Sequence, residues 1–397
     1  MDPTIDLCAG EFWGRDPHDE LRWLRENAPV YWDGSIWGIA TYDLVKEVSK
    51  DPATFSNAGG TRPDNGPLPM MIEMDDPAHW SRRKLVNKGF TPRRVRDSED
   101  DIRQACTEII DAVCERGECD FVTDIAAWLP MIMIGDALGV RPEQRADLLR
   151  WSDDMVRSQS NTATPEVLER AGIAFGEWLA YATEAVAERR ATPTDDLMSV
   201  LVHAEVDGDQ LDDDAIMQEA LLILVGGDET TRHVISGGMY QLLANPGEKA
   251  KLVADPSLMT TAVEEMLRWV SPIKNMARTV THDVELEGQR LEAGQKLLLL
   301  YSSANRDEKV FADPMRFDVA REPNDHVAFG FGAHFCLGNS LARLELKVMF
   351  EELLRRLPDL RLADSAPSEP AFRPANFISG YEAMPVVFTP TAPVGAS

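Results

Sequence analysis

Phe329-Gly330-Phe331-Gly332-Ala333-His334-Phe335-Cys336-Leu337-Gly338 is the stretch that decides how this chain is read. A lone cysteine in an apolar setting is commonly an inert small hydrophobe. Here glycines and phenylalanines surround the sulfur, and a helical pattern runs from about Asn339 to Leu357 directly after it. Glycines allow a tight loop with free backbone N–H groups, and a helix start adds partial positive charge that favours a thiolate. The aromatic rings keep water away. The pattern describes an anionic sulfur able to ligate a metal without being oxidised.

Working outward, the longest helical pattern runs from about Asp212 to Leu243. It is apolar on most faces near Leu221, Leu222, Ile223, Leu224 and Val225, as a buried helix is. Gly226-Gly227 interrupts it at a cost of roughly 1 kcal/mol per glycine against alanine. Close approach of a ligand to the backbone is one reason to keep them, and a helix–helix crossing is the other. Gly226-Gly227-Asp228-Glu229-Thr230-Thr231 then follows as a charged turn. Glu265-x-x-Arg268 places an acid and a base on one helix face.

The remaining pattern is mainly α with small β-sheets in one unit, 1–397. A helix starts after Asp16-Pro17 and ends before Pro29. Val30–Trp32 and Ile36–Ala40 flank the turn signal Asp33-Gly34. Helices are expected over Pro77–Lys88, Ile102–Cys114, Val122–Leu138, after Arg141-Pro142, and over Pro165–Arg190. Short strands are expected over Met276–Val280, Val284–Leu286, Lys296–Leu300 and Pro385–Phe388. The Gly/Pro-rich segment Ala58–Pro69 and the tail after Pro390 read as loops.

The chain has 397 residues with 40 basic and 67 acidic side chains, a net charge of −27. That balance argues against nucleic-acid binding and against adhesion to anionic membranes. Arg82, Arg83, Lys84, Lys88, Arg93, Arg94 and Arg96 depart from it, as a solvated face or as a docking patch for an acidic partner. The N-terminus lacks the basic and apolar regions of a signal peptide. No apolar run approaches the ~18 residues of a membrane span, so no membrane anchor and a cytoplasmic location are expected. Five cysteines, an odd number, do not suggest a disulfide framework, and Cys114 and Cys119 have no second Cys/His pair for zinc.

Phe329-x-x-Gly332-x-x-x-Cys336-x-Gly338 resembles the haem-binding signature of the cytochrome P450 family. The resemblance covers the chain from the Asp16 helix to Phe388. It implies the cytochrome P450 fold, haem b as cofactor, O₂ as co-substrate, and Cys336 as proximal ligand of the iron, whose electron donation favours O–O cleavage. Thr230 then matches the hydroxyl residue near O₂ and Glu229 the acid before it, a pair that delivers protons. His79 and Arg83, at i and i+4, with Arg278 and His334 match positions that bind the haem carboxylates. Glu265 and Arg268 match a structural pair that binds a further arginine in the turn-rich segment before the Cys loop. Arg316 in Pro314-Met315-Arg316-Phe317 is taken as that third member, with Arg321 the alternative.

Longer stretches resemble one subgroup from steroid-degrading bacteria. They are Ser56–Gly60, Pro69–Ile72, Arg82–Asn87, Gly227–His233 and Arg373–Phe377. That subgroup oxidises the terminal methyl of the cholesterol or cholest-4-en-3-one side chain, to the alcohol and then the aldehyde and acid. The apolar candidates for contact with such a substrate are Met70, Met71, Ile72, Leu222, Val225, Gly226, Asn275, Met276, Phe377 and Ile378; each could equally be a core residue. No flavin or iron–sulfur segment is fused to the chain. A ferredoxin with its reductase is therefore the expected electron source, with Arg82 and Lys84 in its docking patch. Another apolar substrate, such as a fatty acid or branched alkane, and a non-catalytic haem-thiolate sensor are the competing readings.

Overall fold

The computed structural model describes residues 3–15, 17–64, 66–159, 162–206, 208–367 and 371–395; Asp16 of the first expected helix start lies outside them. Asp213–Ala244 is the axis of the molecule. Its first turn is set by sequence: the Asp212 side chain accepts a hydrogen bond from the Ala215 N–H, and Asp213 and Asp214 complement the helix dipole. Pro246, opening the next helix, stops it.

Two hydrophobic cores share this helix. Its N-terminal half (Ile216, Ala220, Leu221, Ile223, Leu224) packs with Leu85, Met131, Trp151, Trp178 and Leu201. Its C-terminal half (Val234, Ile235, Met239, Leu242) packs with Ile110, Phe121, Met266 and Phe350. Gly226 to Thr231 fall at the seam between the two cores, and there a cavity opens.

The sheet side is a five-stranded sheet ordered Val30–Trp32, Trp37–Ile39, Lys296–Leu300, Asn275–Val280, Phe55–Ser56. Leu297 and Leu299 bury into one cluster and Leu298 and Leu300 into another, so the central strand is apolar on both faces. On its antiparallel neighbour, alternation places Met276 and Arg278 on one face. Both reach the cavity.

The expected helices are present as His18–Asn27, Ala78–Val86, Glu99–Asp111, Arg145–Arg157, Pro165–Ala191 and Asn339–Arg356. The Val122–Leu138 expectation divides into a wide-wound turn over Val122–Ala126 and a helix over Trp128–Ala137. Tyr42–Lys50 and Leu197–His203 are helices that the sequence reading left unassigned. Among the described residues no helix is long and apolar enough to cross a membrane.

Candidate functional site

The Cys loop folds on its own backbone. Cys336 N–H donates to Phe329 O (2.9 Å) and Phe335 N–H to Gly332 O (3.1 Å), while Gly330 (φ 72°) and Gly332 (φ 77°) take the left-handed region. Gly332 has a second reason to be glycine. A Cβ there would lie 2.4 Å from the Ser49 carbonyl oxygen of the Tyr42–Lys50 helix, on which the loop rests. Lys46 and Lys50 of that helix hold their ammonium groups 4.8 and 5.3 Å from the Phe331 ring centre. Burial pushes the Cys336 thiol up; the Gly338 N–H, Arg83, Arg343 and the Asn339 N–H pull the other way. The sulfur thus faces the cavity among backbone donors and guanidinium groups, a setting that suits a thiolate bound to a metal cation.

The cavity is lined by Cys336, Phe329, Phe335 and Gly338 from this loop. It is lined by Gly226 and Thr230 from the long helix, and by His79, Arg83, Arg278 and His334. These four basic residues crowd together: the His79 and His334 rings are 4.0 Å apart. Burial, then His79, Arg278 and Arg83, bring His334 down to about 3. Burial also lowers His79, whose Nδ1 faces Asp76 Oδ1 at 3.1 Å while its buried Nε2 has no partner. Buried Arg278 is paired with the Tyr301 hydroxyl and donates to Ala277 O (2.8 Å). Two guanidinium groups and two imidazoles gathered at one cavity, one imidazole with an orphaned buried nitrogen, fit a ligand carrying carboxylates. Tyr301 was not found from the sequence; it stands alone after an apolar strand, with nothing local to mark it.

The two glycines of the long helix answer different demands. A Cβ on Gly226 would project into open cavity, whereas one on Gly227 would come within 2.6 Å of Ile134 Cγ1 on the Trp128–Ala137 helix. Room for close approach of a ligand and a helix crossing thus lie one residue apart. Thr230 Oγ1 donates to Gly226 O (2.8 Å), so its hydroxyl lies along the same face.

Glu229 is fully buried but does not line the cavity. Its carboxylate contacts Arg373 Nη1 (3.0 Å), His233 Nε2 (3.2 Å) and Arg232, which reaches on to the half-buried Asp153 (2.8 Å). Beside it Asp228 is fully buried and pushed up to about 6, chiefly by burial. Glu345, which does line the cavity, is pushed up to about 8 by burial and by Asp228. Glu345 and Arg373 were missed as site residues. Glu345 had a readable signal: it shares a helical face with Leu341 and Val348, an acid within an apolar stripe.

The third partner of the Glu265–Arg268 pair is Arg321, not Arg316. Arg268 Nε donates to Glu265 Oε2 (2.7 Å) with both side chains fully buried, and Arg321 Nε reaches the same oxygen at 3.0 Å. Arg316 points outward to Asp318 (3.6 Å) and contributes only its carbonyl, which accepts from Arg321 Nη2 (2.7 Å). Side-chain direction follows from the turn geometry of residues 312–321, which residue types alone do not fix.

Of the candidate substrate contacts, Met71, Ile72, Leu222, Gly226 and Met276 line the cavity. Met70 is buried in the adjoining core and Val225 packs against the same core. Asn275 Nδ2 donates to Asn376 O (2.7 Å), Phe377 O accepts from Lys274 N–H (2.8 Å), and Ile378 bridges to Ile273. These last three tie the C-terminal turn to the sheet behind the wall. In the basic run Arg82 turns inward, donating to Pro69 O (2.9 Å) and meeting Glu219 (3.3 Å). It is therefore withdrawn from a docking patch, whereas Lys84 lies over the exposed Trp80 ring.

The cytochrome P450 family profile matches residues 169–358. The chain is 56% identical over 395 residues to a steroid C26-monooxygenase of Mycobacterium tuberculosis, covering 99% of each. It is 54% identical to one of Mycolicibacterium smegmatis, covering 99% of this chain and 98% of that one. Mycobacterium marinum cytochrome P450 CYP268A2, solved in complex with pseudoionone, is 35% identical with a TM-score of 0.91, covering 98% and 99%. Matches that run from end to end, over a chain whose thiolate loop, glycine helix and basic cluster meet at one cavity, establish that it belongs to the cytochrome P450 family, whose cofactor is haem b.

Proposed function

We propose that this enzyme hydroxylates the terminal methyl carbon of a steroid side chain, of the cholesterol or cholest-4-en-3-one type, and carries the alcohol on towards the acid. The observation that carries this reading is the full-length 56% identity to a steroid C26-monooxygenase. The apolar wall formed by Met71, Ile72, Leu222, Ile223 and Met276 suits such a ligand.

Cys336, with His79, Arg83, Arg278 and His334 at the carboxylates, would hold the haem, which would supply the activation of O₂. The chain's own residues do the rest. Thr230 holds a proton at Oγ1 on the cavity face. Glu229, anchored by Arg232 and Arg373, and the Asp228–Glu345 acids with raised proton affinity stand behind it as a proton reserve linked to Asp153 near the surface. The apolar wall excludes water and must orient the substrate end-on, because the neighbouring tertiary C–H is weaker than the terminal one. A ferredoxin with its reductase supplies electrons at the Cys-loop face, where Lys84 is the candidate contact.

The test is titration of the ferric protein with cholest-4-en-3-one followed by product analysis. A Soret shift with oxidation at the terminal methyl supports the reading. A haem spectrum indifferent to sterols, or dominant oxidation at the tertiary carbon or the rings, refutes it and directs attention to fatty acids or branched alkanes.

A further inference from the structure

Glu219 is an anomaly of the long helix. It lies on the face that continues through Leu222, Gly226 and Thr230 along the cavity, yet it is a carboxylate with no exposure to solvent. Its Oε1 accepts from the Met71 N–H (2.8 Å) and meets Arg82 Nη1 at 3.3 Å; its Oε2 is buried without a partner. Arg82 Nη1 also donates to Pro69 O (2.9 Å). One carboxylate and one guanidinium thus pin residues 69–71 between the long helix and the Ala78–Val86 helix. Just beyond the pin, Met71 and Ile72 form part of the cavity wall.

The other supports of this wall come from its own neighbourhood in the chain. Buried Glu73 gathers Thr61 Oγ1 (2.9 Å), Arg62 Nη1 (3.0 Å) and the Leu68 N–H, and Asn57 Nδ2 donates to Ile72 O (2.8 Å). Those bonds shape the loop; among the described residues, the Glu219 contact is the one hydrogen bond that ties the Met71 backbone to the helix that carries Gly226 and Thr230. A half-satisfied buried carboxylate is a poor device for stability, and an apolar residue of similar size would often serve as well or better. What it supplies is a fixed distance between the wall and the oxygen-side face of the helix. Burial, opposed by the Met71 N–H and Arg82, raises Glu219 to about 7.

We propose that Glu219, acting through Arg82 and the Met71 N–H, is a positioning residue that sets regioselectivity by fixing the Met71–Ile72 wall relative to the long helix. The selectivity claim rests on the steroid side-chain reading above; the positioning claim does not. With the wall fixed, a slender chain end reaches the oxidation site while the branch carbon behind it is held back. With it released, Met71 moves and neighbouring carbons gain access.

Hydrogen–deuterium exchange and product analysis on the full-length, haem-loaded protein test both halves. In Glu219→Ala the Met71 amide should exchange about tenfold faster, the weight of one hydrogen bond to a charged group. Amides near Val234, in the other core, should be unchanged, as should the resting Soret band. Glu219→Gln keeps an acceptor for the Met71 N–H and should fall between wild type and alanine, as should Arg82→Gln; these two variants decide the matter if the alanine variant fails to fold. Oxidation of cholest-4-en-3-one should spread from the terminal methyl to the tertiary carbon in the order Gln, then Ala. Unchanged Met71 exchange in the folded variants overturns the clamp. Faster exchange with an unchanged product ratio overturns its role in selectivity. If wild type takes no sterol, the steroid reading falls, and exchange together with the product ratio on a methyl-branched fatty acid still judges Glu219.

Discussion

Replacing Arg321 and Arg316 separately by alanine gives a sharp test of how the Glu265 network is built. Arg321 has 9% of its side chain exposed, and it donates to Glu265 Oε2 (3.0 Å), Ala312 O (2.6 Å), Asp313 O (3.2 Å) and Arg316 O (2.7 Å). Removing one partner of a buried ion pair costs ~3–5 kcal/mol. Glu265 keeps Arg268, the Asp318 N–H and Asn324, which moderates the loss, while three carbonyls lose a donor. The expected cost is about 3 kcal/mol. Arg316 has 59% of its side chain exposed, and its ion pair with Asp318 is worth ~0–0.5 kcal/mol. Its carbonyl, the part the network uses, survives the substitution.

For 397 residues, an unfolding entropy of ~2.1 cal/mol/K per residue makes each kcal/mol worth about 1.2 °C. Arg321→Ala should therefore lower the melting temperature by about 3–4 °C and Arg316→Ala by well under 1 °C, on the same scale. Thermal scans by circular dichroism and by Soret absorbance should agree on the order. An Arg316→Ala loss equal to or larger than that of Arg321→Ala would refute the assignment.

Gly226→Ala should fold as wild type and alter the sterol-induced Soret shift, because its Cβ enters the cavity. Gly227→Ala should instead lose ~1–2 kcal/mol, since overpacking against Ile134 exceeds the gain in helix propensity; denaturant unfolding separates the two. Glu345 has a raised folded-state pKa, so its contribution is intact below about 4.5 and is lost as pH rises through about 8. Glu345→Gln should therefore gain stability over wild type, by a few kcal/mol at most, between those limits and hold that gain above them, and parallel pH curves for the two proteins would count against it. Lys84→Glu should slow reduction by a ferredoxin severalfold at low salt and little at high salt, while Arg82→Glu should mainly disturb the Met71 wall. Equal, salt-dependent slowing by both would return Arg82 to the docking face.

Much of this protein was legible in its sequence because the determining residues are local. The Cys loop needs its glycines within ten residues, the long helix announces itself by apolar density and an Asp212 cap, and the central strand is a run of leucines buried on both faces. Local patterns also carried the resemblance, and with it the family. Only the tertiary structure decided what depends on direction and on distant partners. It gave Glu265 to Arg321 because a turn, not a residue type, aims that side chain. It split Gly226 from Gly227 because one faces a cavity and its neighbour faces Ile134. It drew Arg82 out of a basic run onto Glu219, 137 residues away, and placed Tyr301 beside Arg278. Charge and periodicity say which groups a chain must bury or solvate, but which buried group meets which is fixed only when separate elements pack.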